Sequence, residues 1–428
     1  MRVVGTRDPK HRATFREALV ANLTPDGGLW VPERLPVVED WSALIDLPMA
    51  ERSGELLVRL LGESFEPEAL RRLAREAFDF PVPLVRVEEN LFALELFHGP
   101  SLAFKDFGAR LLAGLLSLLD AGLTTPRTIL TATSGDTGAA VARAFWKRPN
   151  VRVVVLYPHG RVSPMQERQF AALGDNVSAV AVEGAFDDCQ RLAKACFSDA
   201  KLSADLGLTS ANSINLARLL AQLLYEVEAV AALRRQGVDT PPLVCVPSGN
   251  FGNLCAGLYA QAMGLPVGGF VAATNTNCTV PDYLDGESYR PRPSVATLSN
   301  AMDVGAPSNW ERIVHLFGGD AARIRSALRW GHVDDAQTVA EMERLWRLGW
   351  TPEPHAAVAS AVLRRVLQPG ETGVFLATAH PAKFPESVER VTTAPVAMPG
   401  ALATLLGRPL GVTRLPADEV RLAAWLRG

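Results

Sequence analysis

From about residue 83 onward, short runs of apolar and β-branched residues alternate with longer runs whose apolar positions recur at helical spacing. The short runs fall at 127–133, 151–157, 177–182, 243–247, 269–274 and 373–378. Strands separated in this way by helices predict a doubly wound α/β fold, with helices covering parallel sheets. The first 82 residues differ: a Gly-rich turn leads into an edge-strand signal at TPDGGLWVP (24–32), and a helical run follows at 67–78. The expected division is an N-terminal extension at 1–82, a larger α/β domain from 83–128 and 236–428, and a smaller one at 129–235. No internal repeat or low-complexity segment interrupts this order.

Composition narrows the partners. A chain of 428 residues can bury two or three cores, and a net charge of −3 without a basic, aromatic-interleaved cluster argues against a nucleic-acid partner. No apolar run reaches the length of a bilayer and no signal-like stretch opens the chain, so a soluble, cytoplasmic protein is expected. Five cysteines with no CxxC spacing read as reduced, buried thiols, and no metal site is expected.

Only six of the 43 basic residues are lysines, and of these Lys105 and Lys383 alone stand among apolar, Gly or Pro neighbours. Lys105 lies in ELFHGPSLAFKDFGARLL (95–112), between Phe104 and a helical run. An ammonium there loses hydration, which favours the neutral, nucleophilic amine. Such an amine suits Schiff-base chemistry with an aldehyde, for which pyridoxal 5'-phosphate (PLP) is the common biological case. An exposed lysine that starts a helix and snorkels outward fits the same letters.

Ligands in doubly wound folds collect where strands meet helices, and two such junctions are unusual. In TATSGDTGAAVARAF, residues Ser134, Gly135, Asp136, Thr137 and Gly138 offer hydroxyls and free backbone N–H groups suited to a carboxylate, or else a plain helix cap. In LVCVPSGNFGNLCAGLYA, Ser248 to Asn253 carry two glycines and polar residues that let the backbone wrap a phosphate. With no lysine in that loop it is not a Walker P-loop, and a purely structural turn is the competing reading. Between these junctions, SANSINLARLLAQLL (210–224) sets Asn212, Ser213, Asn215 and Arg218 at a helix start, where a second anion can be gripped, or where a polar face simply meets water. After the last strand, Thr378 can face a ring nitrogen and Lys383 an anion, while His380 reads better as a packed histidine than as a catalyst.

Taken together, TPDGGLWVP, ELFHGPSLAFKDFGARL, TATSGDTGAAVA, SANSINLARLLAQ, VPSGNFGN, AATNTN, LSNAMDVGAPSNW, EPHAAVA and TAHPAKF resemble the threonine synthase family, PLP enzymes of the tryptophan-synthase-β fold type, in the bacterial form with a long N-terminal extension. The resemblance covers nearly the whole chain up to about Val396. It implies a fold-type II PLP enzyme with two α/β domains plus the extension. In it Lys105 forms the Schiff base, Gly249, Asn250, Phe251, Gly252 and Asn253 hold the cofactor phosphate, and Thr378 is a neutral partner of the pyridine nitrogen. It places Ser134, Gly135, Asp136, Thr137 and Gly138 at the substrate carboxylate. Asn212, Ser213, Asn215, Arg218 and Lys383 fall near the leaving phosphate.

The implied reaction converts O-phospho-L-homoserine and water to L-threonine and phosphate, by γ-elimination and addition of water at Cβ, with Lys105 moving protons and the smaller domain closing over the substrate. The protein is expected as a monomer or homodimer with no membrane partner. Asp106, Asp136, His380 and Asp303 stand unranked as auxiliary acids or bases. A serine or threonine dehydratase of the same fold keeps Lys105 and the phosphate loop but does not require the second anion grip. A non-catalytic binding protein has no need of a buried lysine.

Overall fold

The computed structural model describes residues 1–122 and 126–428. The chain opens with β1 (Arg2–Gly5), β2 (Arg12–Thr14) and β3 (Trp30–Pro32), followed by β4 (Leu84–Glu88) and β5 (Leu91–Glu95). Next come β6 (Arg127–Ala132), β7 (Val151–Pro158), β8 (Val177–Glu183) and β9 (Leu208–Ser210). The last five are β10 (Leu243–Pro247), β11 (Gly269–Thr274), β12 (Leu328–His332), β13 (Gly373–Ala377) and β14 (Val412–Pro416).

These strands form three sheets, ordered β2-β1-β3, β12-β11-β10-β13-β5-β4 and β14-β8-β7-β6-β9. The first is antiparallel, the second parallel except for β4 against β5, and the third wholly parallel. In a parallel sheet all strands end on one side, so the loops after β5, β10 and β13 gather at one edge of the six-stranded sheet. The loop after β6 does the same for the five-stranded one.

All six strands expected from apolar runs are present, with ends displaced by a residue at most. β4, β9, β12 and β14 went unread because each is an edge strand of mixed composition, such as LRWGH, whose extended state comes from its neighbour in the sheet; β5 went unread as well, although it is a buried central strand, its apolar run LFALELF continuing past the strand's end. β14 also corrects the expected division. Val412 pairs in register with Ala179 of β8, and Leu422 and Leu426 of the final helix bury against Leu192 and Cys196. The tail of the 236–428 segment therefore completes the smaller sheet.

The N-terminal segment is joined to both sheets through one apolar core. Leu56, Leu57, Leu60, Leu70 and Leu73 pack in the same cluster as Phe107, Leu112 and Leu116 of the helix Lys105–Leu119, and as Val153 and Val155 of β7. The helices Met49–Leu61 and Pro67–Ala77 bury one face each, as their apolar spacing requires. Arg52, 1 % exposed, pairs with Glu228 and donates to the carbonyls of Ile45 at 3.0 Å and Leu47 at 2.7 Å. Every donor direction that matters is filled, which is what makes a buried guanidinium tolerable.

Arg52→Ala leaves Glu228 buried with only the half-exposed Arg235 as partner. Equilibrium urea unfolding is expected to show a loss of about 3–5 kcal/mol. A loss under about 1 kcal/mol would mean that the pair does not fasten the extension.

Candidate active site

The sheets face each other across a cleft lined by Phe104, Lys105, Ser134, Asp136, Thr137, Asn212, Ser213, Arg218, residues 248–253, Ala301, Met302, His355 and Thr378, among others. Lys105 begins the helix Lys105–Leu119, and the loop leading to it is pinned from several directions. Phe104 N donates to Thr378 O at 2.9 Å, His380 N donates to Leu102 O at 3.0 Å, and the Tyr225 hydroxyl donates to Phe104 O at 2.6 Å. Asp106, one position further, accepts from Ser101 N at 2.8 Å, and burial raises its carboxyl to about 6.

The Lys105 amine lies 4.6 Å above the Phe104 ring and 3.8 Å from Asp136 Oδ2. Burial pushes it down to about 8; Asp136 opposes that shift, and Lys383 and Arg218 add to it. A helix N-terminus also disfavours a cation. These forces give the nucleophilic amine expected from the apolar run around Lys105.

The turn after β10 fits a phosphate. The backbone N–H groups of residues 249–251 have no protein acceptor among the described residues, and Phe251 adopts φ 60°, which turns the chain into the helix Gly252–Ala262. A Cβ on Gly249 would stand 2.9 Å from Met302 Cα and 3.0 Å from Ala301 O, both backbone atoms, so only glycine lets the loop lie this close. Asn250 Oδ1 accepts from Ser308 N at 3.0 Å and steadies the turn. Both amide atoms of Asn253 are buried without a partner, and the Thr378 hydroxyl, also in the cleft, has none among the described residues. Unsatisfied polar groups converging beside a buried amine are what a PLP-sized ligand needs, so the donor set fits that group.

The loop after β6 is arranged differently from the expectation. Thr133 Oγ1 accepts from Gly135 N at 2.9 Å and from Gly138 N at 2.8 Å, so those two N–H groups are already engaged. Gly135 has φ 140° and gives its side-chain space to Gln166. Neither glycine lines the cleft, whereas Ser134 and Thr137 do, with hydroxyls that lack a protein partner among the described residues. Asp136 faces Lys105 but binds Lys383 at 2.6 Å and Gln166 at 3.0 Å. Burial would raise its carboxyl, yet Lys383, Lys105 and those hydrogen bonds hold it well below the usual carboxylate range. An ionised carboxylate so engaged has no donor to offer a substrate carboxylate.

Among the residues expected at a second anion, Asn212, Ser213 and Arg218 line the cleft. Arg218 is 4 % exposed, donates to Ala211 O at 2.6 Å, has a buried Nε with no partner, and is pushed down to about 10 by burial. Asn212 is partly engaged, bonding Ala132 O at 2.6 Å and accepting from Ala132 N at 3.2 Å. Asn215 and Lys383 do not join them. Asn215 caps its helix through Ala217 N and donates to Leu19 O at 3.0 Å and Asn22 Oδ1 at 2.8 Å, facing the N-terminal segment. The helical spacing with Arg218 is real, but the turn at the helix start sends the two side chains apart. Lys383 is fully buried on Asp136 and on Ser101 O at 3.0 Å, so it meets no free anion.

Two further residues shape the site without having been singled out from the sequence. His355 Nε2 accepts from Ala301 N at 3.1 Å while Nδ1 meets Glu353 Oε2 at 2.6 Å, fixing the loop beside Gly249. Arg312, fully buried, donates to Trp30 O, Ser213 O, Ile214 O and Asn309 Oδ1, tying β3, the 210–215 turn and the phosphate loop together. Nothing in their local letters marks them, since their partners come from distant segments. Asp303, raised to about 6 by burial, holds Thr297, Asn275 and Asn277 in the same loop. His380 accepts from Ala382 N at 3.1 Å, stands edge-on to Phe97 and is pushed to about 4 by burial: a packed histidine.

Residues 78–379 match the family model described as pyridoxal-phosphate dependent enzyme, residues 2–78 the threonine synthase N terminus, and residues 356–425 the threonine synthase C-terminal region. Threonine synthase of Escherichia coli strain K12 is 48 % identical over 99 % of this chain and 98 % of its own. The crystal structure of threonine synthase from Escherichia coli superposes with a TM-score of 0.95 at 47 % identity, covering 100 % of this chain and 99 % of that one. The PLP-bound threonine synthase from Brucella melitensis gives 0.92 at 35 % identity, with the same coverage.

Two outcomes follow from the geometry. In the cofactor-free protein, PLP trapped by cyanoborohydride is expected on Lys105 with half-maximal rate near pH 8, as read by peptide mass; a midpoint near 10 would place the amine in water. Asn215→Ala is expected to lower stability by about 1–3 kcal/mol by orphaning Asn22 and uncapping the helix, with KM unchanged for the folded enzyme. A tenfold rise in KM would put Asn215 at the substrate after all.

Proposed function

The chain belongs to the threonine synthase family, and from that premise we propose how its cleft converts O-phospho-L-homoserine and water to L-threonine and phosphate. It is a PLP-dependent lyase of threonine biosynthesis. When bound, PLP supplies an electron sink that acidifies the carbons next to the substrate amine. Lys105 holds the cofactor through its amine, residues 249–253 hold its phosphate, and Thr378 faces its ring nitrogen with a neutral hydroxyl. The free N–H groups of the 249–251 turn and the unpartnered Asn253 and Thr378 support these assignments.

The hydroxyls of Ser134 and Thr137 receive the substrate carboxylate, and Arg218 with Asn212 and Ser213 receives the phosphate that leaves. Lys105 Nζ, with proton affinity lowered to about 8, accepts and returns protons near neutral pH once the substrate amine displaces it. Water is kept out until it adds at Cβ by closure of the smaller domain about the Asp136–Lys383 contact, which holds the loop after β6 to the Lys105 loop. Asp106, His380 and Asp303 stay outside the proton path, each held in a structural contact.

One observation carries the choice of substrate: the buried Arg218, which has no carboxylate partner among the described residues, lines the same cleft as Lys105. An uncompensated buried cation calls for an anion beyond the cofactor phosphate, which serine and threonine do not bring. The same reading has the enzyme working in the cytoplasm as a monomer or homodimer, without nucleic-acid or membrane partners. The net charge of −3 supports only the lack of a nucleic-acid partner.

Phosphate and threonine are expected to form in equal amounts from O-phospho-L-homoserine with wild type, and at least about a thousandfold more slowly with Lys105→Ala. Arg218→Gln is expected to lower kcat/KM by about 30-fold or more, the loss of a buried charge-assisted hydrogen bond. Dehydration of serine or threonine with the phosphoester untouched would overturn the assignment of substrate.

A further inference from the structure

Lys383 is the one lysine without exposed side-chain surface among the described residues. It stands in the helical turn Pro381–Lys383 after β13, and its amine reaches Asp136 Oδ1 at 2.6 Å and Ser101 O at 3.0 Å. Asp136 begins the helix after β6, and Ser101 lies in the loop before Lys105. Two glutamines of the helix Pro164–Ala171 complete the junction: Gln166 Nε2 donates to Asp136 at 3.0 Å and Gln169 Nε2 donates to Ser101 O at 2.8 Å. The pair thus joins the two parallel sheets at the floor of the cleft, with the second Asp136 oxygen 3.8 Å from Lys105 Nζ.

We propose that Asp136 and Lys383 are positioning residues for the reaction: they lock the Lys105 loop to the loop after β6 and hold a charge-neutralised carboxylate against the Lys105 amine, so that this amine is available as a free base. The proposal rests on the reading of Lys105 as the reacting amine. A buried ion pair seldom adds stability over a well-packed apolar pair, so mere fastening does not call for one here. A carboxylate at 3.8 Å without Lys383 would hold Lys105 protonated, the normal effect of an adjacent opposite charge. With Lys383 in place the two charges cancel, and burial together with Arg218 decides the balance; Glu353 is the remaining charged group that acts on Lys105.

The arrangement makes opposite-signed predictions for the two halves of the pair. In Lys383→Met the uncompensated Asp136 is expected to raise the pH midpoint for trapping PLP on Lys105 of the cofactor-free protein by about one unit or more. In Asp136→Asn the unpaired Lys383 is expected to lower it, and the double variant to return to within about half a unit of wild type, since the two effects are coupled. A pair that only fastens the sheets lowers stability without shifting the midpoint in opposite directions. Shifts of one sign, or no shift, overturn the proposal. Should Lys383→Met not fold, the near-isosteric Asp136→Asn decides alone: a lower midpoint supports the proposal, and an unchanged or higher one overturns it. Trapping uses PLP and no substrate, so failure to make threonine with the midpoint shifts intact would overturn the reaction and leave the pair's role standing.

Discussion

The site depends on the cost of desolvating the Lys105 amine, whose side chain keeps 15 % of its surface exposed. Lys105 lies over Phe104, at a helix N-terminus and within reach of two other cations, all of which disfavour its charge. Such a position persists only where the backbone carrying it cannot relax. The loop before Lys105 is accordingly bonded to the end of β13 on both sides of Ala103, with Tyr225 closing the third direction. The strand order β13-β5 brings those two ends together, so sheet topology and amine chemistry are one arrangement.

Charge in the cleft follows a simple asymmetry. Lys105, Arg218 and Lys383 converge around Asp136, and Arg218 has no carboxylate partner among the described residues. Two phosphates and a carboxylate are well matched to such a field, because fixed cations and free N–H groups in a low-dielectric cleft act strongly on anions. The amide atoms of Asn253, left without protein partners, belong to a residue that lines the cleft, where polar ligand groups can satisfy them.

The N-terminal segment takes part in this order at a distance. Asn22 bonds Asn215 and Thr209, and Arg312 joins Trp30 to the turn that carries Ser213 and to Asn309 beside the phosphate loop. Removing the segment would expose both the apolar face of the Lys105 helix and the underside of the 210–215 turn. Its helices therefore function as part of the scaffold of the site, although none of its residues enters the cleft.

Much of the site could be read locally because its chemistry depends on short stretches: a lysine among apolar residues, two glycines bracketing polar groups after a strand, an arginine opening an apolar helix. Six of the seven central strands of the two larger sheets were equally legible, β5 being the exception, since buried parallel strands need continuous apolar runs. Edge strands such as β12 and β14 carried no such signature, for their pairing is supplied by neighbours far away in sequence. The same distance hid the partners of Lys383, Asn215, His355 and Arg312. Sequence alone determined which chemistry the chain carries. Only the tertiary structure decided which polar side chains remain free for ligands and which are consumed by one another, because that depends on contacts across three sheets.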